Sequence, residues 1–321
     1  GGGRSAPSAP RPRRAGAQLV AGAGPQAPGA VAPEMYAGDG TWTEQGVCWH
    51  AAVLRPGLLR CEAEARRSFG EADMRSAAGQ HSVEADLRAD TVDWMMSTHQ
   101  ASNLALPAIF LAVQLLDRCL ALSQVEPERQ LVLGAACLVL AAKFEEYNAP
   151  DLSFVAEVAG NQFTVAQVLE MELWALRTLD YRLHLPTAVH HLGWFQRQDG
   201  QLSRSRYAAE LAQYLCELPL AHVPGSGQWP PSLHAAAAVR LADVLLRRRG
   251  HHREALESIS DDPEHRGTFE VIVAQTRHAL ERVAVGDAVF QKYGRKEHLF
   301  VSYCARPLLS DLPDSHSCAI S

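Results

Sequence analysis

The sequence lacks the short motifs that mark most familiar catalytic sites. It has no Gly-x-Gly-x-x-Gly loop, no Gly-Lys-Ser/Thr phosphate loop and no His-Glu-x-x-His zinc motif. Histidines number 14, but the adjacent pairs His190-His191 and His251-His252 would point apart on a helix, which does not suit one metal ion. We therefore predict that the chain is not an enzyme and that it holds neither a metal nor a cofactor.

Cysteine pairs and long apolar runs are also missing. The seven cysteines, at positions 48, 61, 119, 137, 216, 304 and 318, never show the Cys-x-x-Cys spacing. Cys119 and Cys137 fall within apolar helical patterns, where a free thiol behaves as a small hydrophobic side chain. No apolar stretch has the length of a membrane span, and no signal peptide is visible. These features predict reduced thiols and a location in the nucleus and cytoplasm.

The overall composition is typical of a folded, globular protein. Its 321 residues leave room for about two domains. Hydrophobic residues make up 47% and charged residues 21%, close to the usual values for globular proteins. A net charge of -6 argues against a generally nucleic-acid-binding surface, so we expect protein partners and neither membrane nor nucleic acid.

Shifts in composition divide the chain into four parts. The first 40 residues are rich in Gly, Ala, Pro and Arg, and such a segment cannot bury enough apolar area to offset its ordering entropy. We predict a disordered or weakly ordered region over 1–57, a first domain with a preceding helix over 58–185, a second domain over 186–304 and a loose tail over 305–321.

Both predicted domains show helical periodicity and no convincing strand pattern. In the first, Pro107 and Pro127 suit the first turns of helices, and Thr164 with Gln167 forms a capping box. The stretch 131–142 is apolar on nearly all sides, which predicts a buried central helix. An Ala-rich helix recurs after Pro231, so two copies of a five-helix, all-α module are the simplest description.

Four charged residues interrupt these apolar patterns. Arg88 and Asp117 are embedded in apolar helical faces, where a charge needs a partner. Lys143 lies near the end of the central helix, where the helix dipole favours a cation. Glu172 lies in the middle of a later helix. Spacing alone therefore predicts a helix cap at Lys143 and a solvent-exposed side chain at Glu172.

Four segments together resemble the first cyclin box of mitotic, A/B-like cyclins with two boxes. The resemblance is specific over 86–187 and weaker as far as 303. It implies two tandem five-helix cyclin folds and a regulatory subunit that binds and activates a cyclin-dependent Ser/Thr protein kinase in cell-cycle control. The segments are Leu87-Arg88-Ala89-Asp90-Thr91-Val92-Asp93-Trp94, Leu115-Leu116-Asp117-Arg118, Ala136-Cys137-Leu138-Val139-Leu140-Ala141-Ala142-Lys143-Phe144-Glu145-Glu146 and Val168-Leu169-Glu170-Met171-Glu172.

The resemblance also implies roles for individual residues. Lys143 and Glu172 match the two residues with which cyclins hydrogen-bond the backbone of a mobile kinase helix, and Arg88 with Asp117 matches a buried salt bridge between the first two helices. The apolar positions that surround the kinase contact are matched by Leu140, Phe144, Leu176 and Leu183.

One part of the resemblance is degenerate. Mitotic cyclins dock substrates that carry an Arg-x-Leu motif in a groove built on Met-Arg-x-Ile-Leu-x-x-Trp. Here Asp90 replaces the Ile, Thr91 the Leu and Ser97 a Glu one turn later. The resemblance therefore predicts poor docking of kinase substrates in a groove whose matching residues are Leu87, Asp90, Thr91, Trp94, Ser97 and Leu131.

Two other classes of function stay open at this point. The cyclin fold also occurs in a transcription factor, so a transcription scaffold that contacts DNA or polymerase is the alternative. That reading predicts a basic face, which a net charge of -6 does not favour. An enzyme that uses one of the cysteines would need an activating partner, and the sequence shows none beside any of them.

Overall fold

The computed structural model describes residues 55–65, 67, 82–147, 149–198, 205–248 and 263–310. All regular secondary structure within these ranges is helical, and it forms two successive helical folds. The helices of the first part are α1 (55–65), α2 (Ser82–Ala101), α3 (Leu106–Leu122), α4 (Pro127–Glu145), α5 (Leu152–Val158) and α6 (Val165–Thr178).

The helix boundaries of the first fold follow from local side-chain chemistry. Both α3 and α4 carry proline in their first turn, where the missing N–H costs nothing. Asp151 caps α5 by accepting the backbone N–H of Ser153 at 3.0 Å. The predicted capping box of Thr164 and Gln167 is present at the start of α6. Pro127 and the capping box therefore fix the starts of α4 and α6, the two helices that carry Lys143 and Glu172.

Helix α4 is the buried centre of the first fold. Its residues 132–142 are all buried, and α2, α3 and α6 pack around it. Gly134 permits the close approach of α2, because a Cβ at this position would lie 2.6 Å from the Cγ2 of Thr91. The apolar run in the sequence therefore forms the core, and the charged residues that follow it reach the surface at the end of the helix.

The second fold repeats this plan around another Ala-rich helix. Its central helix is α10, which packs against α7, α8 and α11. The second set comprises α7 (Ala188–Gln198), α8 (Arg206–Glu217), α9 (Pro219–His222), α10 (Pro231–Leu245), α11 (Pro263–Arg282), α12 (Ala288–Tyr293) and α13 (Val301–Ser310), with single 3-10 turns at Ser226–Gln228 and Lys296–His298.

The two ends of the described chain differ from the sequence prediction. Helix α1 begins at residue 55 rather than near 58, and residues 1–54 lie outside the described residues. The tail predicted to be loose over 305–321 is helical as far as Ser310, because Val301, Ala305 and Leu309 bury one face of α13. This corrects the tail boundary for residues 305–310, while 311–321 lie outside the described part.

Helix α1 also reaches the second fold rather than the first alone. The buried carboxylate of Glu62 accepts hydrogen bonds from the backbone N–H of Ser232 at 3.1 Å and from its hydroxyl at 3.0 Å. Ser232 lies in the first turn of α10, where a negative charge is favoured by the helix dipole. The helix that precedes the first fold is thus anchored on the second.

Candidate partner-binding surface

Lys143 and Glu172 meet at the surface where α4 and α6 pack together. The Nζ of Lys143 lies 2.5 Å from the Oε1 of Glu172. The lysine side chain is 45% exposed and the glutamate side chain 11% exposed, so the pair is open to solvent on one side. Spacing alone predicted a helix cap at Lys143 and a solvent-exposed side chain at Glu172. The fold instead brings the two residues together across 29 positions of sequence.

This ion pair leaves hydrogen-bonding capacity on both partners. A lysine ammonium has three donors, and a carboxylate has about four acceptor sites. One lysine N–H is directed to Glu172. The exposed side of the pair therefore offers a donor and an acceptor next to each other, an arrangement that suits the C=O and N–H groups of another backbone.

Large apolar side chains surround the ion pair. Leu169, Glu172, Leu173 and Leu176 have the i, i+3, i+4, i+7 spacing of a single helix face. Exposed fractions are 46% for Phe144, 48% for Leu169 and 43% for Leu173. We call this surface the α4–α6 face. Its residues are Lys143, Phe144, Leu169, Glu172, Leu173, Leu176, Tyr181 and Leu183.

The predicted apolar residues do not contribute equally to the α4–α6 face. Phe144 is exposed, and Leu176 and Leu183 are partly buried while still packing against the core. Leu140 is only 3% exposed, because it lies on the inward side of α4. The structure therefore places Leu140 in the core, where it offers almost no contact area to a partner.

Three residues of the face were missed by sequence analysis. Leu169 and Leu173 could have been found from their helical spacing to Glu172. Tyr181 had no such signal. It and Asp180 have φ angles of 57° and 50°, the left-handed region that bulky side chains rarely occupy. This turn after α6 leaves the Tyr181 side chain largely exposed.

The acidic residues after Lys143 have different surroundings. Burial, and then the neighbouring charge of Glu146, raises the pKa of the Glu145 carboxyl. The Glu146 carboxylate accepts a hydrogen bond from the backbone N–H of Ala105. Phe144 itself packs near His184, with ring centroids 6.0 Å apart.

Arg88 and Asp117 form a buried two-bond ion pair. The Nε and Nη2 of Arg88 donate to the two carboxylate oxygens of Asp117 at 2.6 and 2.9 Å. The remaining Nη1 donates to the backbone oxygen of Leu220 at 2.9 Å. Asp117 also accepts the backbone N–H of Gly227 at 2.9 Å. The sequence predicted a link between two helices, and the structure shows that the same pair also joins the two folds.

Three of the predicted docking-groove residues line an open cleft between the folds. Asp90, Trp94 and Ser97 face this cleft of about 400 Å³ from α2. Asp93 from the same helix, with His222 and Asp287 from the second fold, completes its polar wall. The wall of the cleft therefore carries three carboxylates, those of Asp90, Asp93 and Asp287.

The other groove residues lie elsewhere. Thr91 is only 2% exposed, because its hydroxyl donates to the Leu87 oxygen at 2.8 Å and its methyl group faces α4 at Gly134. This corrects the prediction that Thr91 lines a docking groove. Leu131 and Leu87 are partly buried, and neither lines the cleft. The sequence does not show that Thr91 is buried, because nothing near it in the chain indicates that Gly134 of α4 leaves room for its side chain.

Within the ranges that the structure describes, no three His, Cys, Asp or Glu side chains are grouped so that they could hold a metal ion. Among the same residues, no helix is both long enough and apolar enough to cross a membrane.

Two protein-family models together match the chain over most of its length. "Cyclin, N-terminal domain" covers residues 61–184 and "Cyclin, C-terminal domain" covers residues 186–307. A solved structure of a viral cyclin from herpesvirus saimiri shares the fold, with a TM-score of 0.52, 19% identity and coverage of 61% of this chain and 86% of that one.

Curated relatives carry mitotic or A-type cyclin names. The G2/mitotic-specific cyclin-2 of Medicago sativa is 30% identical over 68% of this chain and 65% of its own length. Cyclin-A1 of Mus musculus is 31% identical over 58% of this chain and 45% of its own length. This chain spans about half the length of the curated relatives that it matches. The folds, the residue matches and these relatives place the chain in the cyclin family, as a mitotic, A/B-like cyclin with two tandem cyclin folds.

Proposed function

We propose that this chain is a regulatory subunit that binds and activates a cyclin-dependent Ser/Thr protein kinase in cell-cycle control. The observation that carries the proposal is the α4–α6 face, where a solvent-open Lys143–Glu172 pair is set among exposed apolar side chains. The chain contributes no catalytic group in this scheme. The kinase supplies the nucleotide site and the phosphoryl-transfer chemistry.

The face has the composition expected of a docking surface for a helix. Exposed Phe144, Leu169 and Leu173 supply apolar area, which provides most of the binding free energy. The Lys143–Glu172 pair would set the orientation of the bound helix, because it offers one donor and one acceptor to the unsatisfied C=O and N–H groups that helix ends carry. A kinase helix would therefore be held in a single orientation on the face.

Activation follows from binding one kinase conformation better than another. Protein kinases need a helix, αC, swung inward so that its Glu reaches the lysine that positions ATP. A partner shifts that equilibrium only by its difference in affinity for the two conformations. A preformed surface that fits the inward position would supply this difference, and packing into the core holds the bodies of α4 and α6 in place.

Two further proposals concern how substrates dock on this chain and where in the cell it acts. We propose that Arg-x-Leu substrates dock weakly, because Asp90 places a carboxylate in the cleft where an apolar contact is needed. We also propose that the chain acts in the nucleus and cytoplasm, where cell-cycle kinases and their substrates meet.

A binding assay with matched variants tests the kinase proposal. Immobilised chain should recover a cyclin-dependent kinase, and the purified complex should phosphorylate histone, whereas the chain alone should not. The Lys143→Ala, Glu172→Ala double variant should lose both properties, since truncating a polar contact within an interface costs about 2–5 kcal/mol.

The chain offers a matched control on the same two helices. Arg129 of α4 and Glu170 of α6 also form an ion pair, at 3.7 Å, and both side chains are well exposed. The Arg129→Ala, Glu170→Ala double variant should bind and activate the kinase as the wild type does. Recovery of promoter DNA or polymerase in place of a kinase would instead support the transcription alternative and overturn the proposal.

A further inference from the structure

The last turn of α4 is tied to the start of α3 by a single side chain. The helix ends at Glu145, and Glu146 caps it with a backbone hydrogen bond to the Ala142 oxygen at 2.8 Å. The Glu146 carboxylate then accepts the backbone N–H of Ala105, which is 41 positions earlier in the sequence. This contact lies just after Lys143 and Phe144, the two residues that α4 contributes to the α4–α6 face.

Glu146 caps the N-terminus of α3, a role that a residue of α3 itself ordinarily has. In a capping box, the third residue of a helix is Glu or Gln, and it reaches back to the N–H of the N-cap residue. Ala105 is the N-cap of α3 and makes no side-chain cap bond, while the third helical residue is Ala108. The carboxylate that α3 lacks is supplied by the end of α4. It also places negative charge at the helix N-terminus, where the helix dipole favours it.

The other side of the Ala105 backbone is held as well. The Nε2 of His99, at the end of α2, lies 3.0 Å from the Ala105 oxygen. Burial lowers the pKa of His99, which favours the neutral ring, and in the Nε2-protonated tautomer that ring donates to the Ala105 oxygen. One residue between α2 and α3 is therefore fixed from two helix ends. Through Glu146, α4 is fixed to the same point.

We propose that Glu146 is a positioning residue for the kinase-binding surface, which holds the last turn of α4 and keeps Lys143 and Phe144 in register with Glu172. The inference rests on the proposed function of the α4–α6 face. Helix ends fray when their terminal groups lack partners. Lys143 and Phe144 lie in the turn that would fray, and both side chains are nearly half exposed. The Glu146–Ala105 link supplies that restraint.

Three single variants separate this role from a general effect on folding. Glu146→Ala removes the acceptor, and Glu146→Gln keeps an acceptor oxygen for the Ala105 N–H. Glu145→Ala removes the adjacent carboxylate from the same turn and leaves the Ala105 bond in place. Each variant is titrated with the recovered cyclin-dependent kinase at a temperature at which circular dichroism shows all of them to be folded.

We expect Glu146→Ala to weaken kinase binding about five- to tenfold, the equivalent of one lost cap. Glu146→Gln should recover most of that loss, and Glu145→Ala should bind within about twofold of the wild type. Amide exchange over 143–146 should quicken in Glu146→Ala alone. A folded Glu146→Ala variant with wild-type affinity, or a Glu146→Gln variant as weak as Glu146→Ala, would overturn the inference and leave the kinase proposal standing. A wild-type chain that binds no such kinase would overturn both.

Discussion

The carboxylate of Asp117 in the first fold accepts the backbone N–H of Gly227 in the second fold, at 2.9 Å. The same carboxylate is paired with Arg88, whose remaining N–H group donates to the Leu220 oxygen of the second fold. The buried Arg88–Asp117 pair is thus hydrogen-bonded both within the first fold and by backbone groups of the second fold. Because an incompletely satisfied buried charge is costly, the two folds should unfold together rather than one at a time.

Gly227 is required by this close approach. A Cβ at this position would lie 2.7 Å from the Asp117 Oδ2 and 2.9 Å from the Val113 oxygen. Gly227→Ala should therefore lower the free energy of unfolding by about 1–3 kcal/mol, as overpacking of a close contact does. Urea denaturation followed by circular dichroism measures this. Gly193→Ala is the control, because nothing lies within 4 Å of a Cβ added there, and it should be neutral or slightly stabilising. Equal midpoints for the two variants would contradict the account.

Arg88→Ala should be among the most damaging substitutions in the first fold. It leaves Asp117, whose side chain is 2% exposed, as a buried carboxylate without its ion partner. The expected loss is about 3–5 kcal/mol, which thermal or urea unfolding will detect. Arg129→Ala breaks an exposed ion pair instead and should cost less than about 1 kcal/mol. A melting curve for Arg88→Ala that overlays the wild-type curve would mean that the two charges are not buried together.

Stability should fall as the solution becomes acidic, in part because of His234. This residue is 3% exposed, and burial lowers the pKa of its ring to about 4. An unfolded histidine takes up its proton near pH 6.5, so between pH 6.5 and 4 the unfolded state binds more protons than the folded state. Unfolding therefore becomes easier as pH falls through this window, by up to about 3 kcal/mol from this residue.

The contribution of His234 can be isolated by comparison with His234→Gln, which does not titrate. Urea unfolding at pH 7 and pH 4.5 should show a smaller pH-dependent loss for the variant than for the wild type. The buried ring of His99 and the partly buried rings of His190 and His222, whose pKa values burial also lowers, remain in both proteins and do not affect the difference. An identical loss in the two proteins would show that His234 accepts a proton freely in the folded state.

Sequence analysis predicted the elements whose signals are local. The proline-initiated helices and the capping box of Thr164 and Gln167 are present, and the apolar run predicted over 131–142 is buried from Val132 onward. Each depends on residues within a few positions of one another, and the physical preference is strong enough to survive in the full fold. The family resemblance added what spacing could not, namely that Lys143 and Glu172 belong together.

Relationships that depend on long-range packing were not predictable. Nothing local indicates that Glu62 reaches Ser232, or that Asp117 meets Gly227. Thr91 was expected in a groove and is buried, because Gly134 in another helix makes room for it. The segment from residue 305 was expected to be loose and is helical as far as Ser310, because Val301, Ala305 and Leu309 pack one face of α13 into the core.

Peptides that carry an Arg-x-Leu motif should bind this chain poorly. The cleft beside Trp94 is lined by Asp90, Asp93 and Asp287, so an apolar leucine would have to enter next to carboxylates. Asp90→Ile should strengthen binding of such a peptide, and adding Ser97→Glu should strengthen it further by supplying a partner for the peptide arginine. Fluorescence titration measures both changes. Thr91→Leu should not help, because position 91 is buried. Wild-type affinity equal to that of a typical mitotic cyclin would contradict this expectation.

A charge exchange tests whether the direction of the Lys143–Glu172 pair orients the kinase helix. Lys143→Glu combined with Glu172→Lys keeps an ion pair at the same place on the α4–α6 face but exchanges donor and acceptor. Kinase affinity and histone phosphorylation are measured on this double variant after circular dichroism has established its fold. We expect a folded protein whose kinase binding is at least about 30-fold weaker, with activation reduced accordingly. A folded exchange variant that activates the kinase as well as the wild type does would contradict the claim that this pair orients the kinase helix.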